Sequence, residues 1–297
     1  MLKVFKTLKW REWLYAVAAV GFIVLQVWLD LTMPDYMSEI TQLAVMSDAS
    51  VMGEIWKNGG LMLACALGSA LSSVAVGFFV ARIAAAVSFR LRGQVFDKVE
   101  GFSMEEINKF STASLITRTT NDITQVQMVI SMGLQVVVKA PILAVWAICK
   151  ILSRQWQWSV VTAAAVVVMV VMLLFILIIV FPKFRRVQKL TDNLNSVTRE
   201  NLTGVRVVRA YNAEEYQEKK FAKANDELTN TQLFTSRAMA IMSPVMMMVM
   251  SGLTLAIYWV GAYLIDALPT GAERAELFGQ MAAFSGYAMQ VVMAFMM

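Results

Sequence analysis

Residues 158–210 read "WSVVTAAAVVVMVVMLLFILIIVFPKFRRVQKLTDNLNSVTRENLTGVRVVRA" and combine two kinds of helix in one run. The first part, 158–182, contains no charged residue and is long enough to cross roughly 30 Å of hydrocarbon. The second part is polar but keeps one apolar face at helical spacing. The residues of that face are Val187, Leu190, Leu194, Val197 and Val205. A membrane-spanning helix is therefore predicted to continue far outside the bilayer, with a kink at Pro182.

The whole chain has the composition of a membrane protein. Of its 297 residues, 58% are hydrophobic and 16% are charged, and the mean hydropathy is +0.61, which is well beyond what a soluble domain needs for its core. The predicted fold class is an all-α membrane protein with six transmembrane helices and long cytoplasmic helical extensions. The predicted spans are about 13–33, 58–81, 123–149, 158–182, 238–265 and 277–297, with cytoplasmic hairpins at about 82–122 and 183–237.

The distribution of basic residues predicts the orientation of the chain. The N-terminal segment and the two hairpins carry 21 Lys and Arg residues, whereas the opposite side carries four. Because cytoplasmic segments are enriched in Lys and Arg, the N-terminus and both hairpins are predicted to be cytoplasmic. The net charge of +5 then reflects topology, and no nucleic-acid partner is predicted.

Several kinds of chemistry are missing from the sequence. The chain has no histidine, and its two cysteines, Cys65 and Cys149, lie alone in separate spans. We therefore predict no catalytic residue, no metal site and no disulfide framework. No GxxxxGK[ST] run occurs, so the chain by itself is not predicted to hydrolyse ATP.

A second apolar stripe extends span two into the cytoplasm. No proline occurs from Asn58 to Lys109, and the stripe predicts a rod of roughly 78 Å for those residues. Its members are Ile83, Val87, Leu91, Val95 and Val99. The chain must turn back at 108–122 and again at 209–221, both polar. A polar tip with exposed aromatic residues, far from the membrane, predicts a binding partner there.

Three stretches resemble one family. Residues 90–127, "RLRGQVFDKVEGFSMEEINKFSTASLITRTTNDITQVQ", and 200–221, "ENLTGVRVVRAYNAEEYQEKKF", resemble the intracellular loops of ABC exporter transmembrane domains. Residues 29–40, "LDLTMPDYMSEI", are similar to the corresponding segment of bacterial exporters that often work as heterodimers. The resemblance covers essentially the whole chain, and it implies a multi-pass protein of the bacterial inner membrane.

The resemblance implies that the two hairpin tips are coupling helices that dock on nucleotide-binding domains. Coupling helix one is placed at about Ser111–Arg118, with Ser111, Thr112, Ser114, Leu115, Thr117 and Arg118 as candidates. Coupling helix two is placed at about Ala210–Gln217, with Ala210, Tyr211, Asn212, Glu214, Glu215 and Tyr216 as candidates. On a continuous helix Tyr211 and Glu215 would share one face and enter a groove together, whereas a tip that is merely solvated would pair its acidic residues with Lys219 and Lys220.

The same resemblance implies the partners. They are ABC nucleotide-binding domains that hold ATP and Mg²⁺, a second transmembrane half in a homo- or heterodimer, the lipid bilayer, and a hydrophobic small-molecule, lipid or peptide substrate. No cofactor is implied for this chain itself. Because the sequence stops at "VVMAFMM" without a nucleotide-binding domain, we interpret it as a truncated or separately supplied membrane domain.

Five residues are candidates for the translocation path. Gln280, Phe284 and Tyr287 share one face of span six, where cavity lining and plain packing are both open. Lys139 lies midway along span three, where a charge costs roughly 2.5–3.5 kcal/mol on insertion scales and needs a partner or water. Pairing with Asp30, a place in a solvated cavity and substrate contact all remain open. Two other classes also remain open: a six-span secondary transporter or channel, and a membrane scaffold for a cytosolic partner.

Overall fold

The computed structural model describes residues 10–45, 51–105, 112–152, 155–269 and 271–297. Within these ranges the chain is almost entirely helical and contains no β-strand, so the prediction of an all-α membrane protein is confirmed. The α-helices of the described residues are α1 Trp10–Val45, α2 Met52–Glu100, α3 Thr112–Thr117, α4 Ile123–Leu152, α5 Trp156–Phe175, α6 Phe181–Ala210, α7 Glu214–Asp266 and α8 Gly271–Met296. Two π-helical segments, Arg118–Asp122 and Ile176–Val180, connect α3 to α4 and α5 to α6.

Five helical stretches of the described residues are long and apolar enough to cross a membrane. They are Trp10–Val45, Met52–Glu100, Leu115–Leu152, Trp156–Ala210 and Glu214–Asp266, and they contain the first five predicted spans. The sixth predicted span coincides with most of α8, which does not reach the same hydropathy. Eleven of its 26 residues are buried, and a helix surrounded by protein needs less apolar surface than one that faces lipid. The membrane boundaries of all six spans stay predictions.

Helix α2 is the long rod that the sequence predicted, but it is shorter. It runs without a break over 49 residues, which corresponds to about 74 Å at 1.5 Å per residue. The rod ends at Glu100 and not at Lys109: the N–H of Gly101 still bonds the carbonyl oxygen of Asp97, but the N–H of Phe102 bonds that of Val99 at 3.1 Å, a three-residue spacing that closes the last turn. Ile83 and Val87 of the predicted stripe are buried against Ile130 of α4.

Pro182 lies at the start of α6, where the continuous helix changes from π-helical to α-helical geometry. The π-helical segment Ile176–Val180 comes directly before it. A proline ring clashes with the carbonyl four residues earlier, here that of Ile178, and a widened turn at that position relieves the clash. On α6, Val197 is buried, whereas Val205 near the end of the predicted stripe is exposed.

Contacts divide the chain into two compact units. The first comprises residues 1–160 and 257–297, and the second comprises residues 161–256. In the first unit, α1 buries one column of side chains at a spacing of four residues, namely Ala19, Ile23, Val27 and Leu31. Helix α8 approaches α1 closely in this unit, because two of its glycines face it. A Cβ atom at Gly279 would lie 2.6 Å from the carbonyl oxygen of Ser38, and one at Gly286 would lie 3.0 Å from Pro34.

Candidate translocation cavity and coupling segments

A charged pair lies inside the first unit, between helices that are otherwise apolar. The Nζ atom of Lys139 on α4 is 3.6 Å from Oδ2 of Asp30 on α1, and the two side chains are 19% and 15% exposed. The hydroxyl of Ser69 on α2 donates a hydrogen bond to Oδ1 of the same aspartate. Three helices therefore meet at one carboxylate, which is the kind of pairing that a charge in the bilayer requires.

The same lysine lines a cavity of about 190 Å³ in the first unit. Its polar wall is formed by Gln26, Ser73, Gln135 and Lys139. Ile23 and Val76 contribute to the apolar part. The sequence left pairing with Asp30 and a cavity position open for Lys139, and the structure shows both together. The cavity presents an ammonium and two amides, so it can hold a polar group that carries hydrogen-bond acceptors.

The candidate residues of α8 take up different positions. Phe284 and Tyr287 are fully buried, and the ring of Phe284 packs on Trp158 with 5.3 Å between ring centroids. Gln280 is half-buried, and its side chain donates to Glu276 of the same helix at 3.1 Å. None of the three lines the cavity at Lys139. Cavity lining by this face of α8 is therefore not seen here, because α8 packs tightly against α1 through its glycines.

Tyr287 belongs to a second polar cluster, which sequence reasoning missed. Its hydroxyl donates to Oδ1 of Asp35 on α1. The other oxygen of that carboxylate is 2.8 Å from Nζ of Lys150 on α4, and this ammonium lies 5.8 Å from the centroid of the Tyr287 ring. The cluster connects α1, α4 and α8. A signal was available, because Asp35 and Lys150 have opposite charges and both follow spans on the predicted outer side.

A third polar contact connects α1 and α2 near the other end of the first unit. A guanidinium nitrogen of Arg90 donates to the Glu12 carboxylate, and the two side chains are mostly buried. Arg90 is the first residue of the stretch that resembles ABC exporter loops. Its partner was not predicted, since 78 residues separate the two.

The structure describes most of the predicted coupling helix one. Ser111 lies outside the described residues, and the short helix α3 begins at Thr112. Leu115 and Arg118 border a cavity of about 320 Å³ together with Val99 at the end of α2 and Phe102 just after it. The segment continues through the π-helical residues into α4, so it is directly joined to the helix that carries Lys139.

The predicted coupling helix two is not one continuous helix. Helix α6 ends at Ala210, the chain turns through Tyr211, Asn212 and Ala213, and α7 begins at Glu214. Asn212 adopts a left-handed backbone with φ of 49°, a conformation that asparagine tolerates better than most residues. The expectation that Tyr211 and Glu215 share one helical face is therefore wrong, because the turn separates them.

The side chains of this tip are largely exposed. Tyr211 is 80% exposed and Tyr216 is 67% exposed. Glu215 pairs with Lys219 at 2.7 Å, and Lys220 reaches across to Glu200 of α6 at 2.7 Å. The hydrogen bond with Glu200 raises the pKa of the Lys220 ammonium. Both pairs are exposed and add little stability. The Glu215–Lys219 pair lies within α7, the Glu200–Lys220 pair joins α6 to α7, and the two tyrosines stay available.

No group of three or more His, Cys, Asp or Glu side chains that could hold a metal ion occurs in the part of the chain that the structure describes. In this part, polar side chains connect different helices around Asp30, around Asp35 and between Arg90 and Glu12.

The helices, the interior charged cavity and the exposed hairpin tip define a multi-pass all-α membrane protein built around polar contacts between its helices. The sequence profile described as the ABC transporter transmembrane region matches residues 16–295, and the chain belongs to this family. The resemblance that the loop motifs indicated is thereby confirmed.

Relatives of known name agree with this assignment. The chain is 30% identical over 257 residues to an uncharacterized ABC transporter ATP-binding protein of Mycobacterium tuberculosis strain H37Rv, covering 86% of the chain and 43% of that protein. It is 27% identical over 243 residues to the uncharacterized ABC transporter ATP-binding protein YfiB of Bacillus subtilis, covering 82% and 41%. It is 24% identical over 189 residues to the ATP-dependent lipid A-core flippase of Pseudomonas fluorescens, covering 64% and 32%. The chain thus spans less than half the length of these relatives.

Proposed function

We propose that this chain is the membrane-spanning half of an ATP-driven exporter, which moves hydrophobic or amphipathic molecules out of the cytoplasm by alternating access. Drugs, lipids and peptides are the substrate classes that fit. The observation that carries the proposal is the cavity at Lys139. A polar, ion-paired cavity inside an apolar helix bundle costs stability, and a transport path gives a physical reason to keep it. The name of the lipid A-core flippase relative supports a lipid-like substrate class.

On this proposal ATP is hydrolysed by domains other than these 297 residues. We infer that nucleotide-binding domains bind ATP and Mg²⁺ and that they dock on the tips at α3 and at Tyr211–Ala213. A second transmembrane half completes the transporter. The first tip is joined to α4 and thus to Lys139, so a push on that tip has a direct covalent route to the cavity. On this proposal the N-terminus is cytoplasmic, as the distribution of basic residues supports, and the membrane is the bacterial inner membrane, as the resemblance to bacterial exporters implies.

On this proposal Phe284 and Tyr287 become accessible only when the first unit opens. Asp35 would then exchange the Tyr287 hydroxyl for water, and the outer ends of α1, α4 and α8 would separate. Gln280 lies one turn from Phe284 on the same helix and is already partly exposed in the closed arrangement.

The test uses the chain assembled with its nucleotide-binding domains and second half in inside-out vesicles. We expect a fluorescent amphipathic dye to stimulate ATP hydrolysis and to accumulate in the vesicles. Lys139→Gln is expected to reduce accumulation, because it alters the cavity. The exposed Lys57→Gln has the same charge loss outside the cavity and serves as the control. Hydrolysis that no dye, lipid or peptide stimulates, with no accumulation, would favour a membrane scaffold instead.

A further inference from the structure

The second unit contains an elongated pocket that the transport proposal does not use. Its volume is about 260 Å³, and it lies between α5 with its π-helical extension and the middle of α7. Apolar side chains from both helices form its wall, among them Met172, Phe175, Ile241 and Met242. The one charged residue in the wall is Arg237. We call this pocket the α5–α7 slot.

The shape of the slot depends on the π-helical segment. Ile176, the first residue of that segment, lines the slot directly after Phe175. A π-helical turn is wider than an α-helical one, so it displaces the backbone locally, and such segments occur often at functional sites. The slot is open at its wall on α7, where Ile241 is 61% exposed.

The mouth of the slot is cationic, and the stretches of sequence that form it add further basic residues. The ammonium of Lys183 lies 5.7 Å from the centroid of Phe234, whose ring is part of the wall, so a second cation lies close to Arg237. Residues 172–191 and 228–245 contain five basic residues and no acidic one. They are Lys183, Arg185, Arg186, Lys189 and Arg237.

Both cations lie at the ends of predicted spans. Lys183 follows the span 158–182, and Arg237 precedes the span 238–265, so the mouth falls at the predicted cytoplasmic surface of the bilayer. The apolar wall continues from there into the hydrocarbon. The cytoplasmic leaflet carries anionic lipids, and basic pockets between transmembrane helices on that side suit their headgroups.

We propose that the α5–α7 slot binds one acyl chain of an anionic phospholipid, with the lipid phosphate held at Arg237 and Lys183. The volume supports a partial occupant, since sites that enclose a whole small molecule measure roughly 300–1,000 Å³. One chain enters the slot while the other stays in the bilayer. The site is separate from the cavity at Lys139, and its test involves no transport, so either proposal can fail alone.

The test measures lipid binding to the purified chain by native mass spectrometry. Phosphatidylglycerol and phosphatidylcholine with identical acyl chains are titrated separately. We expect one phosphatidylglycerol to bind more tightly than phosphatidylcholine, and Arg237→Gln to weaken the binding of phosphatidylglycerol about fivefold. Its effect on phosphatidylcholine should be smaller, because the choline ammonium offsets the charge of the phosphate. Lys223→Gln removes the same charge from an exposed position of α7 away from the slot and is expected to leave both affinities unchanged.

A second variant tests the apolar half of the site. Ala238 lines the slot, and Ala238→Phe fills it, so both lipids are expected to bind more weakly. Arg237 is exposed, and its variant should fold normally, which keeps the test valid even if the phenylalanine variant does not fold. Equal affinities for the two lipids would overturn the proposal. So would an equal effect of Lys223→Gln and Arg237→Gln, or binding confined to monomers, which would mean that a second copy covers the slot.

Discussion

Lys139 and Asp30, which are 109 residues apart in sequence, hold their opposite charges 3.6 Å from each other inside the first unit. The lysine also borders a cavity, so the ion pair between helices lies directly beside a polar space. A pair in this position must separate, or exchange partners, whenever α1 and α4 move apart. This relationship makes the pair a sensitive point for stability and for transport.

Removing one member of the pair is expected to be more harmful than removing both. Lys139→Ala leaves the Asp30 carboxylate without a counter-ion, and breaking a fully buried pair costs about 3–5 kcal/mol, so a smaller cost is expected for these partly exposed side chains. The double variant Asp30→Asn with Lys139→Gln removes both charges and should recover part of the loss. Thermal unfolding of the purified chain in detergent measures both. Equal melting temperatures for Lys139→Ala and Lys57→Ala would contradict the prediction.

The hydroxyl of Tyr287 is expected to stabilise the closed arrangement of α1, α4 and α8. Tyr287→Phe removes a hydrogen bond to a charged group and should lower the free energy of unfolding by about 1.5–3 kcal/mol. Tyr263→Phe is the matched control, since that tyrosine is 69% exposed. Denaturant titration followed by tryptophan fluorescence reads out both variants. A loss of the same size in the control would show that the Asp35 contact is not responsible.

The close approach of α8 to α1 predicts a steric effect at Gly279. Gly279→Ala places a methyl group 2.6 Å from the Ser38 carbonyl oxygen, so the helices must move apart at a cost of about 1–3 kcal/mol. Gly133→Ala has open space around it and should be neutral or stabilising by up to about 1 kcal/mol through helix propensity. Gly279→Ala should therefore lower the melting temperature while Gly133→Ala leaves it unchanged or raises it, and equal shifts of the two variants would argue against close packing at Gly279.

The exposed turn between α6 and α7 predicts a coupling phenotype. Tyr211→Ala, in the transporter assembled with its nucleotide-binding domains, should leave folding intact while lowering the ratio of transported dye to hydrolysed ATP. The reason is that an exposed aromatic ring at an interface contributes strongly to docking. Leu202→Ala is the control: it removes another exposed apolar side chain, from α6 before the turn, and should leave the ratio unchanged. An unchanged ratio for Tyr211→Ala would remove this residue from the docking surface.

The asymmetry of basic residues predicts which ends of the helices face the cytoplasm. In a background without Cys65 and Cys149, a cysteine at Glu54 should react with a membrane-impermeant thiol reagent from outside intact cells. A cysteine at Asn193 should stay unlabelled until the membrane is opened. Both positions are exposed, so accessibility within the protein does not decide the result. Labelling of Asn193 in intact cells would reverse the orientation.

The sequence alone determined the features that depend on local pattern. Apolar length and helical spacing predicted the class of fold and the continuous rod of α2, and the loop motifs identified the family. These predictions succeed because helical periodicity and the apolar length needed to cross a membrane are both properties of a single segment. Local pattern also marked Lys139 as a charge that requires a partner, and Asp30 was among the possible partners.

Only the tertiary structure decided which segments meet and which side chains are covered. Asp35 meets Lys150 across 115 residues and Tyr287 across 252. Opposite charge on the predicted outer side made Asp35 and Lys150 possible partners, but the pattern within one segment does not select a partner so far along the chain. Phe284 and Tyr287 looked like candidates for a path but are buried, because the glycines of α8 let it pack against α1. The sequence predicted a turn within 209–221, but only the structure located it at Tyr211–Ala213, where it separates Tyr211 from the helix that carries Glu215. Periodicity selects the face of a helix, whereas packing selects the neighbour of that face.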